Sequence, residues 1–138
     1  MKVSHSSEIN ESSEKLWDTL RSFDGVERYL QIVSKTVVEG TGQGAKRICD
    51  VDMGSQIFQF QETLEVLDDS NHSLVVSLDD GPIQMRGMKF SFVVKSLDDG
   101  KSDITISTNV ENPDAAGMAK NLFAMIGQGL KKIGRAHV

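Results

Sequence analysis

Cysteine is all but missing from this chain. Cys49 is the only one, so an internal disulfide cannot form, and the usage suits a reducing compartment. Long apolar runs are also missing. No stretch approaches the roughly 18–20 apolar residues of a membrane span. The first residues, Met1-Lys2-Val3-Ser4-His5-Ser6-Ser7, lack the apolar core of a secretory leader. The expectation is a cytoplasmic protein without integral membrane association. Positive charge is in deficit, with a formal net charge of −5, which argues against a nucleic-acid partner because phosphate binding needs a basic surface. Histidine is scarce and scattered at His5, His72 and His137, with no His-x-x-His or cysteine pair, so no metal is expected. No glycine motif of the phosphate-cradling kind occurs, and no cofactor is expected. Proline occurs only twice and no Pro- or Ser-rich linker interrupts the chain. Residues 1–138 therefore read as one domain, large enough to bury a core without covalent staples.

What is present is a clear order of elements. Val3 to Asn10 reads as a strand. Ser12 or Ser13 can cap a helix with Leu16, Trp17, Leu20 and Phe23 on one face, broken at Gly25, with one more turn over Val26 to Leu30. From Val33 to Val110 the pattern is strands separated by turns. Leu-Asp-Asp recurs at Leu67–Asp69, Leu78–Asp80 and Leu97–Asp99. These acidic pairs read as hairpin turns and not as calcium ligands, since whole strands separate them. Asn112-Pro113-Asp114 then caps a helix from Ala115 to Ile133. Its apolar stripe is Ala115, Met118, Ala119, Leu122, Met125, Ile126, Gly129, Leu130 and Ile133, and Lys131, Lys132 and Arg135 lie near its C-terminal end. Gly127 and Gly129 cost helix stability, about 1 kcal/mol each against alanine, and suit a close approach by the sheet or by a ligand.

Alternation within the strands separates two sheet faces. One carries Phe58, Phe60, Glu62, Leu64 and Val66, and the strand before it carries Arg47, Cys49, Val51 and Met53. A two-residue turn at Gly54-Ser55 fixes their register: Met53 opposite Gln56, Val51 opposite Phe58, Cys49 opposite Phe60, Arg47 opposite Glu62. The single charge on each apolar face thus meets its opposite, as burial demands. The pair reads equally well as a purely structural ion pair or as a polar anchor in an apolar pocket. The same face continues through Leu74, Val76 and Leu78, then Met88, Phe90, Phe92 and Val94, then Ile104, Ile106, Thr108 and Val110. Lys89, Ser91, Lys95, Asp103, Thr105, Ser107 and Asn109 form the solvated face. An apolar sheet face and an amphipathic helix must cover each other, which gives an α+β fold.

The order strand, two short helices, six strands, long helix resembles the START-like (SRPBCC, polyketide cyclase/dehydrase and lipid transport) superfamily over nearly the whole chain. Its most specific stretch is Glu62-Thr63-Leu64-Glu65-Val66-Leu67-Asp68-Asp69-Ser70-Asn71-His72, with Asn112-Pro113 and Gly129-Leu130-Lys131-Lys132-Ile133 in support. The resemblance implies a helix-grip (Bet v 1-like) fold, a seven-stranded curved antiparallel sheet around the C-terminal helix. It also implies a cavity between them for sterols, lipids, hormones or polyketides, with Glu62 facing it. Departures from the plant hormone receptors of that superfamily argue against their ligand. Leu30 stands about where they carry a lysine, Gly54-Ser55 is shorter than their gate loop, Ile83-Gln84-Met85 replaces their latch, and Gly129 replaces a polar helix residue.

The leading expectation is therefore binding or transport of a small hydrophobic ligand. Candidate contacts are Arg47, Cys49, Phe58, Phe60, Glu62, Val76, Leu78, Met88, Phe90, Phe92, Ile106, Thr108, Leu122, Met125, Ile126 and Gly129. A second reading is a polyketide cyclase or dehydratase with Glu62 as acid/base, although an arginine partner stabilises the anion and favours binding over catalysis. A third is a cochaperone-like interaction module, which an apolar outer sheet face would favour. Cys49, mid-strand with no base beside it, reads as packing rather than nucleophile. Gly81-Pro82-Ile83 reads as either a lid or a plain loop, and the oligomeric state is open.

Overall fold

The computed structural model describes residues 1–98 and 100–136, the side chains of residues 135 and 136 excepted. Asp99, His137 and the side chain of Arg135, all singled out above, lie outside the described residues. The elements run β1 (Lys2–Ile9), α1 (Ser13–Arg21), a 3₁₀ turn (Val26–Arg28), β2 (Val33–Glu39), β3 (Lys46–Asp52), β4 (Ile57–Asp68), β5 (Ser73–Asp80), β6 (Lys89–Ser96), β7 (Ser102–Asn109) and α2 (Pro113–Ala136). All strands pair antiparallel in the order β1-β7-β6-β5-β4-β3-β2. This is the helix-grip arrangement expected, with a 3₁₀ turn as the second short helix.

Caps act where the sequence placed them. Ser12 Oγ accepts from the Lys15 amide at 3.2 Å, and Asn112 Oδ1 accepts from the Asp114 amide at 2.7 Å, satisfying amides that helix geometry leaves free. The first helix stops sooner than its apolar pattern suggested. Phe23 has a positive φ of 64°, as does Gly25 at 67°, so Phe23 leaves the helix and turns its ring inward. Asp69 ties α1 to the β4–β5 turn by accepting from Trp17 Nε1 at 2.8 Å and Arg21 Nε at 2.7 Å, while Trp17 stacks on His72.

The β3–β4 register agrees with the alternation: Val51 pairs Phe58, Cys49 pairs Phe60 and Arg47 pairs Glu62, and the Met53 amide donates to Gln56 O. Val66 departs from it. The β4–β5 register shifts between Leu64 and Val66, which turns Val66 to the outer face at 44% exposure and brings Leu67 opposite Leu74 inside. Leu78–Asp80 also departs, belonging to β5 itself, with the connection to β6 beginning at Gly81.

The helix stripe is rotated from the one read in the sequence. The face of α2 on the core consists of Ala115, Ala119, Phe123, Ile126 and Leu130, while Met118, Leu122, Gly129 and Ile133 are half-buried and Met125 is exposed. Two close approaches set this rotation. A methyl group at Gly127 would strike Ser7 and His5 of β1, and one at Gly129 would overlap the backbone of Tyr29. Bare backbone at these two positions lets α2 seat against β1 on one side and the 3₁₀ segment on the other.

Candidate functional site

Inside the grip, Arg47 and Glu62 are both buried, at 8% and 9% exposure. Arg47 Nε donates to Glu62 Oε1 at 2.9 Å, and Nη1 donates to the Phe23 carbonyl at 3.3 Å. The guanidinium lies 4.0 Å from the centre of the Phe23 ring, a cation–π contact that the left-handed turn at Phe23 makes possible. Burial disfavours the Arg47 cation, yet the charge of Glu62 and the neighbouring Tyr29 outweigh it, so the guanidinium is held more firmly protonated than usual. Burial pushes the Tyr29 hydroxyl above its ordinary range, with Arg47 in opposition. Burial likewise pushes the Cys49 thiol up to about 11, against the pull of Arg47, and its Sγ lies 3.9 Å from both Thr36 Oγ1 and Glu62 Oε1. A neutral, buried thiol is a poor nucleophile, in keeping with packing.

The space beside this pair is small. A cavity of about 40 Å³ is bordered by Arg47, Glu62, Cys49, Leu30, Phe60 and Phe123, with Phe90, Phe92 and Ile126 nearby in its wall. That is room for water and not for a ligand. Aromatic side chains fill the rest, with Phe123 meeting Phe90 edge-to-face at 5.9 Å between ring centres.

The larger opening is at the mouth of the grip. A solvent-open cleft of about 590 Å³ lies between α2, the β3–β4 turn, the segment before β2 and the β5–β6 loop. Its apolar walls are Ile32, Met53, Phe60, Met85, Met118, Leu122 and Met125, and its polar contacts are Gln31, Asp52 and Asn121. Four of the six methionines in the chain converge here. Methionine is unbranched and polarisable, so such walls adapt to irregular apolar shapes. Phe60 and Leu122 border both spaces and connect the cleft with the inner pair.

Of the candidate contacts, Phe60, Leu122 and Met125 line the cleft. Arg47, Cys49, Glu62, Phe90, Phe92 and Ile126 line only the small inner cavity. Val76, Leu78, Ile106 and Thr108 are core residues bordering neither, Phe58 packs at the core margin, Gly129 borders an adjoining groove, and Met88 faces the opposite end near Asn109. The candidate contacts did not include Tyr29, Phe123 or Met85. Phe123 lies four residues beyond Ala119, a spacing that places it on the core face. Met85 sits in a loop whose shape no periodicity reveals. Its neighbour Ile83 is 75% exposed while Met85 is buried, so this loop inserts one methionine into the cleft wall. Among the described residues no cluster of three or more His, Cys, Asp or Glu side chains is placed to hold a metal, and no helix is long and apolar enough to cross a membrane.

Comparison with known proteins returns one family over nearly the full length: the family described as polyketide cyclase / dehydrase and lipid transport matches residues 1–137. Among solved structures, a Bacillus thuringiensis protein superposes with a TM-score of 0.83 at 18% identity, covering 97% of this chain and 98% of its own. The protein XoxI of Bacillus cereus gives 0.75 at 24% identity, covering 98% and 94%. The Zhui aromatase/cyclase of a Streptomyces species gives 0.78 at 16% identity, covering 98% and 93%. At these identities the structures share the fold.

Proposed function

The chain belongs to the polyketide cyclase / dehydrase and lipid transport family, and from that premise we propose that it binds a small apolar molecule in the methionine-lined cleft, as a carrier or receptor. The observation that carries this reading is the cleft itself. Its volume of about 590 Å³ falls in the range typical of small-molecule sites, and its walls are mostly apolar with few polar groups. Phe60, Leu122 and Met125 are the contacts foreseen in the sequence, joined by Met53, Met85 and Met118.

Catalysis by Glu62 fits less well. An acid/base carboxylate must exchange a proton with substrate, whereas Oε1 of Glu62 is engaged by Arg47 beside a space of about 40 Å³. A substrate converted by the native protein, and bound but not converted by Glu62→Gln, would favour the cyclase or dehydratase reading instead. The outer sheet face supports an interaction module only weakly. Val37 and Ile48 form an exposed cross-strand pair there and Val66 is exposed on β4, while Ser91 and Lys95 of β6 and Thr105 and Ser107 of β7 keep that part of the face polar. The buried thiol of Cys49 accords with a reducing, cytoplasmic setting.

Fluorescence titration with N-phenyl-1-naphthylamine tests the binding reading. One probe per chain is expected. Met118→Glu, which puts a charge in the cleft wall, should weaken binding by about tenfold or more. Val37→Glu on the outer face should leave it unchanged. Absence of saturable binding, or equal affinity in Met118→Glu, contradicts the proposal.

A further inference from the structure

A second groove, of about 270 Å³, lies alongside the cleft. Both are bordered by Gln31, Ile32 and Met125, so they adjoin along the flank of α2 as the two parts of one trough. Tyr29 and Gly129, whose backbones pack directly against each other, both lie in the wall of the smaller groove.

The two halves of the trough differ in charge. Among the described residues, the only charged side chain bordering the large cleft is Asp52, whose Oδ1 already accepts from the Gly54 amide at 2.9 Å. Among the described residues, the charged side chains bordering the smaller groove are Arg28 and Lys132, and no carboxylate borders it. Neither cation forms an ion pair with a carboxylate among the described residues. Arg28 Nε donates to the Gly25 carbonyl at 3.3 Å, which leaves the Nη groups of its guanidinium for another acceptor. Gln128 adds an amide. The groove thus offers a donor-rich, cationic surface on a protein whose net charge is −5.

We infer that the trough takes an anionic amphiphile, its apolar chain in the methionine-lined cleft and its anionic head against Arg28 and Lys132. This rests on the binding reading above and adds the ligand class and orientation. The reverse orientation would set the anion beside Asp52, with no cation in the cleft wall among the described residues. Guanidinium and ammonium groups recognise carboxylate and phosphate alike, so the head is defined by charge and acceptor oxygens. Both cations are exposed, so water screens them and the preference for an anion is moderate and salt-sensitive.

The test compares dodecanoic acid, dodecan-1-ol and dodecyl phosphate by isothermal titration calorimetry, below their aggregation concentrations and with the acid fully ionised. At low ionic strength at least one anion should bind about tenfold more tightly than the alcohol, and the gap should narrow in raised salt. In the double variant Arg28→Gln/Lys132→Gln the preference should fall to near parity while affinity for the alcohol is unchanged. An unaltered melting temperature would show that these two surface changes leave the fold intact. Equal or tighter binding of the alcohol by the native protein overturns the assignment of the head group alone. So does a preference that survives in the variant. If none of the three binds, the alcohol included, the binding reading fails as well. The carboxylate and phosphate arms distinguish the two kinds of head, and tighter binding of either supports the inference.

Discussion

Arg47 is engaged on several sides, by the carboxylate of Glu62, by the carbonyl of Phe23 and by the Phe23 ring. Removing one member of such a buried pair leaves the other charge uncompensated in a medium that solvates it poorly. Arg47→Met should therefore destabilise the protein by about 3–5 kcal/mol in urea denaturation. Replacing both members, Arg47→Met with Glu62→Leu, should recover most of that loss, because two apolar side chains of similar size need no partner. A single-variant cost below about 1 kcal/mol, the range of exposed pairs, would show that the charges are not buried as described. The pairing of these residues was legible in the sequence, since alternation and a two-residue turn fix which side chains oppose each other. The part played by Phe23 was not, because its left-handed backbone breaks the helical pattern that appeared to include it.

At the scale of elements, the seating of α2 decides where the cleft lies. Nine apolar or small residues were readable as one stripe, but so broad an arc does not say which of its edges meets the sheet. Contacts with β1 and with Tyr29 choose Phe123 for the core and leave Met118, Leu122 and Met125 on the flank that walls the cleft. The turn connections were legible only in part. Leu67–Asp69 ends a strand as expected, whereas Leu78–Asp80 lies within one, because a Leu-Asp-Asp run does not itself stop a ladder. Two glycines of α2 make a paired test of its seating. Gly117 is exposed and has nothing within 4 Å of where a methyl group would stand, so Gly117→Ala should stabilise the protein by up to about 1 kcal/mol through helix propensity. Gly129→Ala gains the same propensity but drives a methyl group into the Tyr29 backbone, and should lower the melting temperature. Equal gains at both positions would mean that α2 does not pack against Tyr29.

For the whole molecule, a sheet curved around one helix leaves two places for a ligand, the interior and the mouth. The summed volume of Phe60, Phe90, Phe92 and Phe123 closes the interior to about 40 Å³ and leaves about 590 Å³ at the mouth. Alternation announced an apolar interior between sheet and helix, and the family resemblance implied a cavity there. They did not say how full it would be, because that depends on three-dimensional packing between residues far apart in the chain. The methionines offer a direct probe of the outcome. Met53, Met85, Met118 and Met125 line the cleft, while Met1 is exposed elsewhere and Met88 borders the opposite end. The decisive measurement is a ¹³C-methyl methionine NMR titration with dodecan-1-ol. The signals of the four cleft methionines should shift together and saturably, with those of Met1 and Met88 unmoved. Shifts confined to Met1 or Met88, or none at any concentration below aggregation, would contradict a ligand site at the mouth of the grip.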